Sequence, residues 1–248
     1  MSFRTLLRAG AAVFLLAAAG AEASPLTWTS SVGGAPTGVV LENFDTLTVG
    51  GASGAQPLTP TGITVQFAGT AGVVQGARSG RYAPPSLSGG NGAGFGAGGG
   101  AQANGANTTP YLTTGSITGG AASAMTLIMP FEVKYFGLLW GSVDAYNTLS
   151  FYDGETLVGS IAGGQVAALP NGDQGPGGTR YVNVTSTLGF DRVVATSNGW
   201  AFEFDNVAFN IAPPPVLGVP EPGTLALLGA GLVGLGVARR RNAAAHKS

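Results

Sequence analysis

Between residues 24 and 211 the chain runs in short apolar or alternating stretches, broken by Gly, Pro, Asn and Asp. The stretches fall at 26–30, 38–44, 62–68, 124–129, 132–141, 147–153, 156–162, 180–186, 190–197 and 200–211, and each is a predicted strand. No window of the body repeats its apolar residues at the helical period. At 147–162 Leu149 and Phe151 alternate with Ser150 and Tyr152, Asp153-Gly154 supplies a hairpin turn, and Leu157, Val158 and Ile161 form the return strand. Many short strands with frequent turn signals predict an all-β, antiparallel, jelly-roll-like β-sandwich over 24–211.

The last stretch carries a phase change. Phe202 and Phe204 share one parity, whereas Val207, Phe209 and Ile211 share the other. The buried face therefore switches at Asp205-Asn206, which predicts a bulge or bend there. Residues 86–107 are a Gly/Ala/Asn tract with too little apolar surface to order itself, and a long mobile loop is expected. Its Gly94, Gly96 and Gly99 satisfy the dinucleotide glycine spacing only formally, because no strand precedes them and no helix follows. Pro213, Pro214 and Pro215 stiffen a linker at 212–219.

Both ends differ from the body. Met1–Ala23 has a basic start at Arg4 and Arg8, the small-apolar run Ala9–Ala19, and a small–x–small site at Ala21-Glu22-Ala23. It reads as a signal peptide, with Ser24 as the first mature residue. The alternative, an uncleaved anchor, meets a run too short to span a membrane. At the other end Pro220-Glu221-Pro222-Gly223 precedes the apolar run Thr224–Ala238 and then Arg239, Arg240 and Arg241. As a helix the fifteen-residue run reaches about 22 Å, short of the roughly 30 Å of hydrocarbon in a bilayer. The arginines hold its end on the cytoplasmic side.

A Pro-Glu-Pro triplet, a short apolar helix and a basic cluster in that order resemble the PEP-CTERM sorting signal over 220–248. On that resemblance Pro220, Glu221 and Pro222 are the triplet and Arg239–Arg241 the basic end. It implies recognition by an exosortase, a membrane protease-transpeptidase, and a Gram-negative host that makes exopolysaccharide. The secretion machinery and a transient membrane stay, through helix 224–238, come with it. In the body, Tyr135–Asp144 and Phe202–Val207 resemble segments of one group of exosortase-dependent surface proteins, a resemblance that implies surface location and no known reaction.

Composition narrows the chemistry. The sequence holds 43 Gly and no Cys, and 9% of its residues are charged. Disulfides, thiolate nucleophiles and thiolate metal sites are therefore excluded. Five basic residues lie between 24 and 218 against ten acidic ones, so that span is about −5. Nucleic acid, which needs a basic footprint, is not an expected partner. The one histidine, His246, lies beyond the arginines, so the body has no His-based triad or zinc site.

Carboxylates remain. Asp144, Asp153, Glu155, Glu203 and Asp205 could furnish the acid–base pair of a glycan-active enzyme, or be solvated strand edges and turn residues. Glu42 and Asp45, near the first strands, would meet Asp205 and Asn206 if the first and last strands pair. Oxygen ligands from both chain ends suit calcium, and the alternative is an Asx-type turn with exposed acids. Trp28, Trp140, Trp200, Tyr82, Tyr111, Tyr135, Tyr146 and Tyr152 could stack on sugar or fill the core. The expectation is an exported, exosortase-processed surface or matrix protein of the exopolysaccharide or biofilm layer, without catalytic activity. The alternatives are a calcium-assisted carbohydrate-binding module and a secreted glycan-active enzyme.

Overall fold

A computed structural model describes residues 24–50, 53–90, 92, 100–116 and 123–214. The leader at 1–23, the later part of the linker and the tail at 220–248 lie outside the described residues, as does most of the glycine tract's centre. Twelve strands are described: β1 (Leu26–Ser31), β2 (Val40–Glu42), β3 (Thr64–Phe67), β4 (Gly72–Val74), β5 (Ser86–Leu87), β6 (Gly105–Ala106), β7 (Tyr111–Thr114), β8 (Ala124–Gly141), β9 (Asn147–Asp153), β10 (Thr156–Ala162), β11 (Arg180–Ser197) and β12 (Phe202–Asn210). One helical turn, α1 (Gly163–Val166), lies between β10 and β11. Among the described residues no helix is long and apolar enough to cross a membrane.

Ten of the strands form one antiparallel sheet. The stretches predicted separately at 124–129 and 132–141 are the single strand β8, and those at 180–186 and 190–197 are the single strand β11. Pro130–Glu132 and Thr187–Gly189 look like turns in sequence, but they bend a strand from one layer into the next. Met125, Leu127 and Met129 enter the core before the bend in β8, and Phe136, Leu138 and Trp140 enter it afterwards. In β11 the inward set changes from Val182 and Val184 to Val193 and Ala195, across a register shift between Phe190 and Arg192. Parity thus reverses just past each bend, after the paired core residues Val133 and Phe190, which lets both halves of a strand serve one core.

The first layer holds β3, Ala124–Ile128 of β8, Arg192–Ser197 of β11, β9 and β10. The second holds β1, the early part of β11, Tyr135–Gly141 of β8, β12, and then β2, β7 and β4. Phe151 of the first layer meets Phe136 of the second edge-on at 5.9 Å and Phe190 at 5.1 Å. Gly159 of β10 leaves room for Leu26 of β1, whose Cδ1 would stand 2.7 Å from a Cβ there.

The outer face of the second layer is covered as well. Tyr135, Leu139, Tyr181 and Ala208 pack with Leu87 in a second apolar cluster. The cover is drawn from both ends of the glycine tract, which pair as β5 and β6. The short ladders β4 and β7 escape a strand pattern in the sequence because three or four residues are too few to show alternation.

Phe151→Ala would remove the ring that joins both layers. Large-to-small aromatic changes in cores cost about 3–5 kcal/mol, so chemical denaturation should show a loss of that size with the fold's circular dichroism retained.

Candidate functional site

Strand β12 places the site. It is paired on one side with β8 and on the other with β7 and β2, and both of its faces are covered. Phe202 and Phe204 point to the core. By the two-residue period Glu203 and Asp205 point to the opposite face, beneath the cover. There they are 2% and 0% exposed. The predicted phase change is present: Asn206 has φ 54, and the β12–β8 register shifts between Asp205 and Ala208.

Glu203 opens into a cleft of about 250 Å³ at one end of the sandwich. Its walls come from the β4–β5 connection (Arg81, Tyr82), the β8–β9 turn (Ser142, Asp144, Tyr146), the β10–β11 connection (Asn171, Gly172) and the β11–β12 turn (Trp200). Loops converging on one end of a rigid sandwich are where binding groups collect. The walls are fixed by hydrogen bonds. Ala83 N–H donates to Glu203 Oε1 at 2.9 Å, and Ser142 Oγ donates to Glu203 Oε2. Tyr146 Oη lies 2.8 Å from Asp144 Oδ2 and also meets the Trp200 carbonyl. Buried Asn147 donates from Nδ2 to the Ala201 carbonyl at 3.1 Å and accepts from Ser197 Oγ at 2.7 Å, which holds the β11–β12 turn. The Arg81 guanidinium lies 5.1 Å from the centre of the Trp200 ring.

A second acidic group sits where β2 meets β12. The first strand, β1, pairs with β11, and it is the second, β2, that pairs with the last, Glu42 opposite Val207. Glu42 Oε1 accepts from Phe44 N–H at 2.8 Å, and Oε2 accepts from Thr61 Oγ1 at 2.8 Å. Asp205 Oδ2 accepts from Asn107 Nδ2 at 2.6 Å, and Oδ1 accepts from Asn206 N–H at 2.8 Å. Asp45 Oδ2 accepts from Asn43 Nδ2 at 2.9 Å, while Asp45 Oδ1 and both side-chain polar atoms of Asn206 are buried without a partner. Glu42 and Asp205 are buried, so the alternative of exposed acids does not describe them. Among the described residues no three His, Cys, Asp or Glu side chains stand together as a metal centre. A calcium here would need the Asn206 amide oxygen and backbone carbonyls beside the carboxylates.

The structure therefore gathers Asp144 with Glu203, and Asp205 with Glu42 and Asp45. It leaves out Asp153 and Glu155, at the β9–β10 hairpin; the Glu155 side chain is 97% exposed and pairs with Arg192 at 3.5 Å. Among the aromatics, Trp140, Tyr111 and Tyr135 are core, and Trp200, Tyr82 and Tyr146 line the cleft. Trp28 packs against the core and Tyr152 lies under Arg192. Sequence reasoning missed Arg81, Ser142 and Asn171, which are single polar residues in loops with no local pattern. It also missed Asn107, although the polar run Asn107-Thr108-Thr109 closes the glycine tract.

Burial sets the electrostatics. Desolvation is the main cause that pushes Glu203 up to about 7, with the Asp144 charge adding to it against hydrogen bonds from Ser142 and Ala83. Desolvation likewise raises Asp144 and Asp45, and lifts Asp205 well above the ordinary carboxylate range. The native state then holds more protons than the unfolded chain between the ordinary Glu value of 4.5 and about 7. Stability must fall as pH rises through that window, the reverse of the usual acid lability of salt-bridged carboxylates. Thermal denaturation should give a melting temperature several degrees higher at pH 5 than at pH 8, and Glu203→Gln should reduce the difference, leaving the part that Asp205 carries.

No curated protein and no solved structure matches the chain. Residues 218–241, outside the described region, match a family model described as the PEP-CTERM protein-sorting motif, and that match does not extend to Tyr135–Asp144 or Phe202–Val207. The triplet, apolar run and arginines read from the sequence fall within this motif, a signal that implies export and membrane-associated sorting, and the match supports an exosortase-sorted protein.

Proposed function

We propose that this chain is a non-catalytic surface or matrix protein of a Gram-negative bacterium, exported by its leader and placed in the exopolysaccharide or biofilm layer once an exosortase has removed its tail. The single observation that carries the reading is the sorting motif at 218–241. The apolar run inside it is too short and too glycine-rich for a durable anchor, which suits a temporary stop before cleavage. The linker at 212–219 spaces a jelly-roll-like domain from the membrane while the protease reaches Pro220–Pro222.

A second reading adds calcium to that role, as a clip in a carbohydrate-binding module. It is supported by the corner of Glu42, Asp45, Asp205 and Asn206. Oxygen-only donors from both chain ends, some without a partner, are calcium's chemistry. When bound, the ion would supply the positive charge that these buried carboxylates lack and cross-link β2 to β12.

Mass spectrometry of the protein from its native cells should find the residues after the Pro-Glu-Pro triplet missing, and Ala replacements of Pro220, Glu221 and Pro222 should leave a full-length, membrane-retained product. A mature wild-type protein that keeps its tail would overturn the sorting reading. Calorimetry of the mature chain should show a melting temperature raised by calcium and lowered by a chelator. An unchanged temperature in both would remove the clip.

A further inference from the structure

We infer that the cleft between the β8–β9 and β11–β12 turns is a binding site for one ring of a neutral glycan. The inference rests on the surface reading only for where the glycan comes from. Its chemistry stands on the cleft itself.

The volume, about 250 Å³, lies just under the roughly 300–1,000 Å³ of sites that enclose drug-sized ligands. It admits a single ring rather than a chain segment. The floor is made of acceptors. Asp144 is 8% exposed and Glu203 deeper, and their scaffold hydrogen bonds come from Tyr146, Ala83 and Ser142. An ionised carboxylate accepts about four hydrogen bonds, so both retain capacity toward the cavity. Such bonds from hydroxyl groups are charge-assisted and short. The rim supplies the complement. Arg81 is exposed and offers donors, and the described residues give it no acidic partner. The Trp200 and Tyr146 side chains stand in the wall beside these polar groups, with the Arg81 guanidinium 5.1 Å from the Trp200 ring centre.

Acceptors below and donors above, with two aromatic side chains in the wall, match a ring bearing hydroxyls on its edge. A metal ion fits less well, because no third acidic or imidazole group joins Asp144 and Glu203 among the described residues. An anionic sugar would face two buried carboxylates and is rejected. The walls are pre-formed, held by Asn147 and Ser197 rather than by ligand, so little ordering cost is left to binding.

Purified mature protein should be titrated with neutral hexoses, amino sugars and uronic acids, followed by calorimetry or NMR shifts. At least one neutral sugar should bind in the millimolar range or tighter, and uronic acids should not. Removing a charge-assisted hydrogen bond costs on the order of tenfold or more in affinity, so Asp144→Asn and Arg81→Ala should each weaken binding by that factor, as should Trp200→Ala. Arg81 is at the surface, so Arg81→Ala keeps the test decisive if Asp144→Asn fails to fold. Failure of every neutral sugar to bind, preference for uronic acids, or binding untouched by Arg81→Ala and Trp200→Ala together would each overturn the inference. Release of sugar from a glycan, lost in Asp144→Asn, would overturn a purely binding role. Because the purified chain is used, a failed sorting assay leaves these outcomes unaffected.

Discussion

The antiparallel pairing of β8 with β11 is the interaction on which the rest of the structure depends. These two strands are each 18 residues long, and among the described strands they are the ones that run through both layers. A strand that continues past a bend presents the wrong face to the core unless its parity is reversed. Both strands reverse, between Val133 and Phe136 in one and between Phe190 and Val193 in the other. The core of Phe136, Phe151 and Phe190 is built on that double correction. Every other described strand of the large sheet attaches to this pair directly or through one or two neighbours. With no cysteine in the chain, the layers are joined by buried apolar area and strand continuity alone.

Against that apolar framework the buried acids are an exception that needs a physical account. Unpaired charge in a protein interior is costly, and such groups neutralise by taking up a proton unless a partner arrives. Glu203 and Asp205 lie together on β12, and the one ion pair among the described residues is at the far hairpin. What these carboxylates do have is structural use. Glu203 holds Ala83 and Asp205 holds Asn107, so two acids on one strand fasten both ends of the segment that covers the outer face. Acids that carry backbone scaffolding while retaining acceptor capacity suit a site that must be rigid before its ligand comes.

Much of this was legible in the chain, for identifiable reasons. Long alternating runs such as those in β9 and β10 announce themselves, as does the Asp153-Gly154 turn between them. The phase change around Asp205-Asn206 was visible because five large apolar residues flank it on a strict two-residue count. The expected pairing of the first and last strands is met by the second strand, β2, while β1 pairs with β11. What was hidden depends on long-range company. A bend and a turn use the same residue types, so β8 and β11 each read as two strands. The cleft draws on residues from 81 to 203, single polar groups that no local pattern links. The glycine tract seemed unable to order itself from its own composition, and its ends are ordered by groups elsewhere, chiefly Asp205.

The position of β12 has a mechanical consequence. It is the last strand before the linker, so any tension between the domain and whatever holds the C-terminus enters the sheet through Asn210. The strand is gripped on both edges, by β8 on one and by β7 and β2 on the other. Antiparallel ladder bonds lie across the strand direction, so a pull along β12 loads many of them together in shear rather than peeling them singly. A domain hung from its final strand in this way meets drag or stretching at the outermost linker first, and its core last.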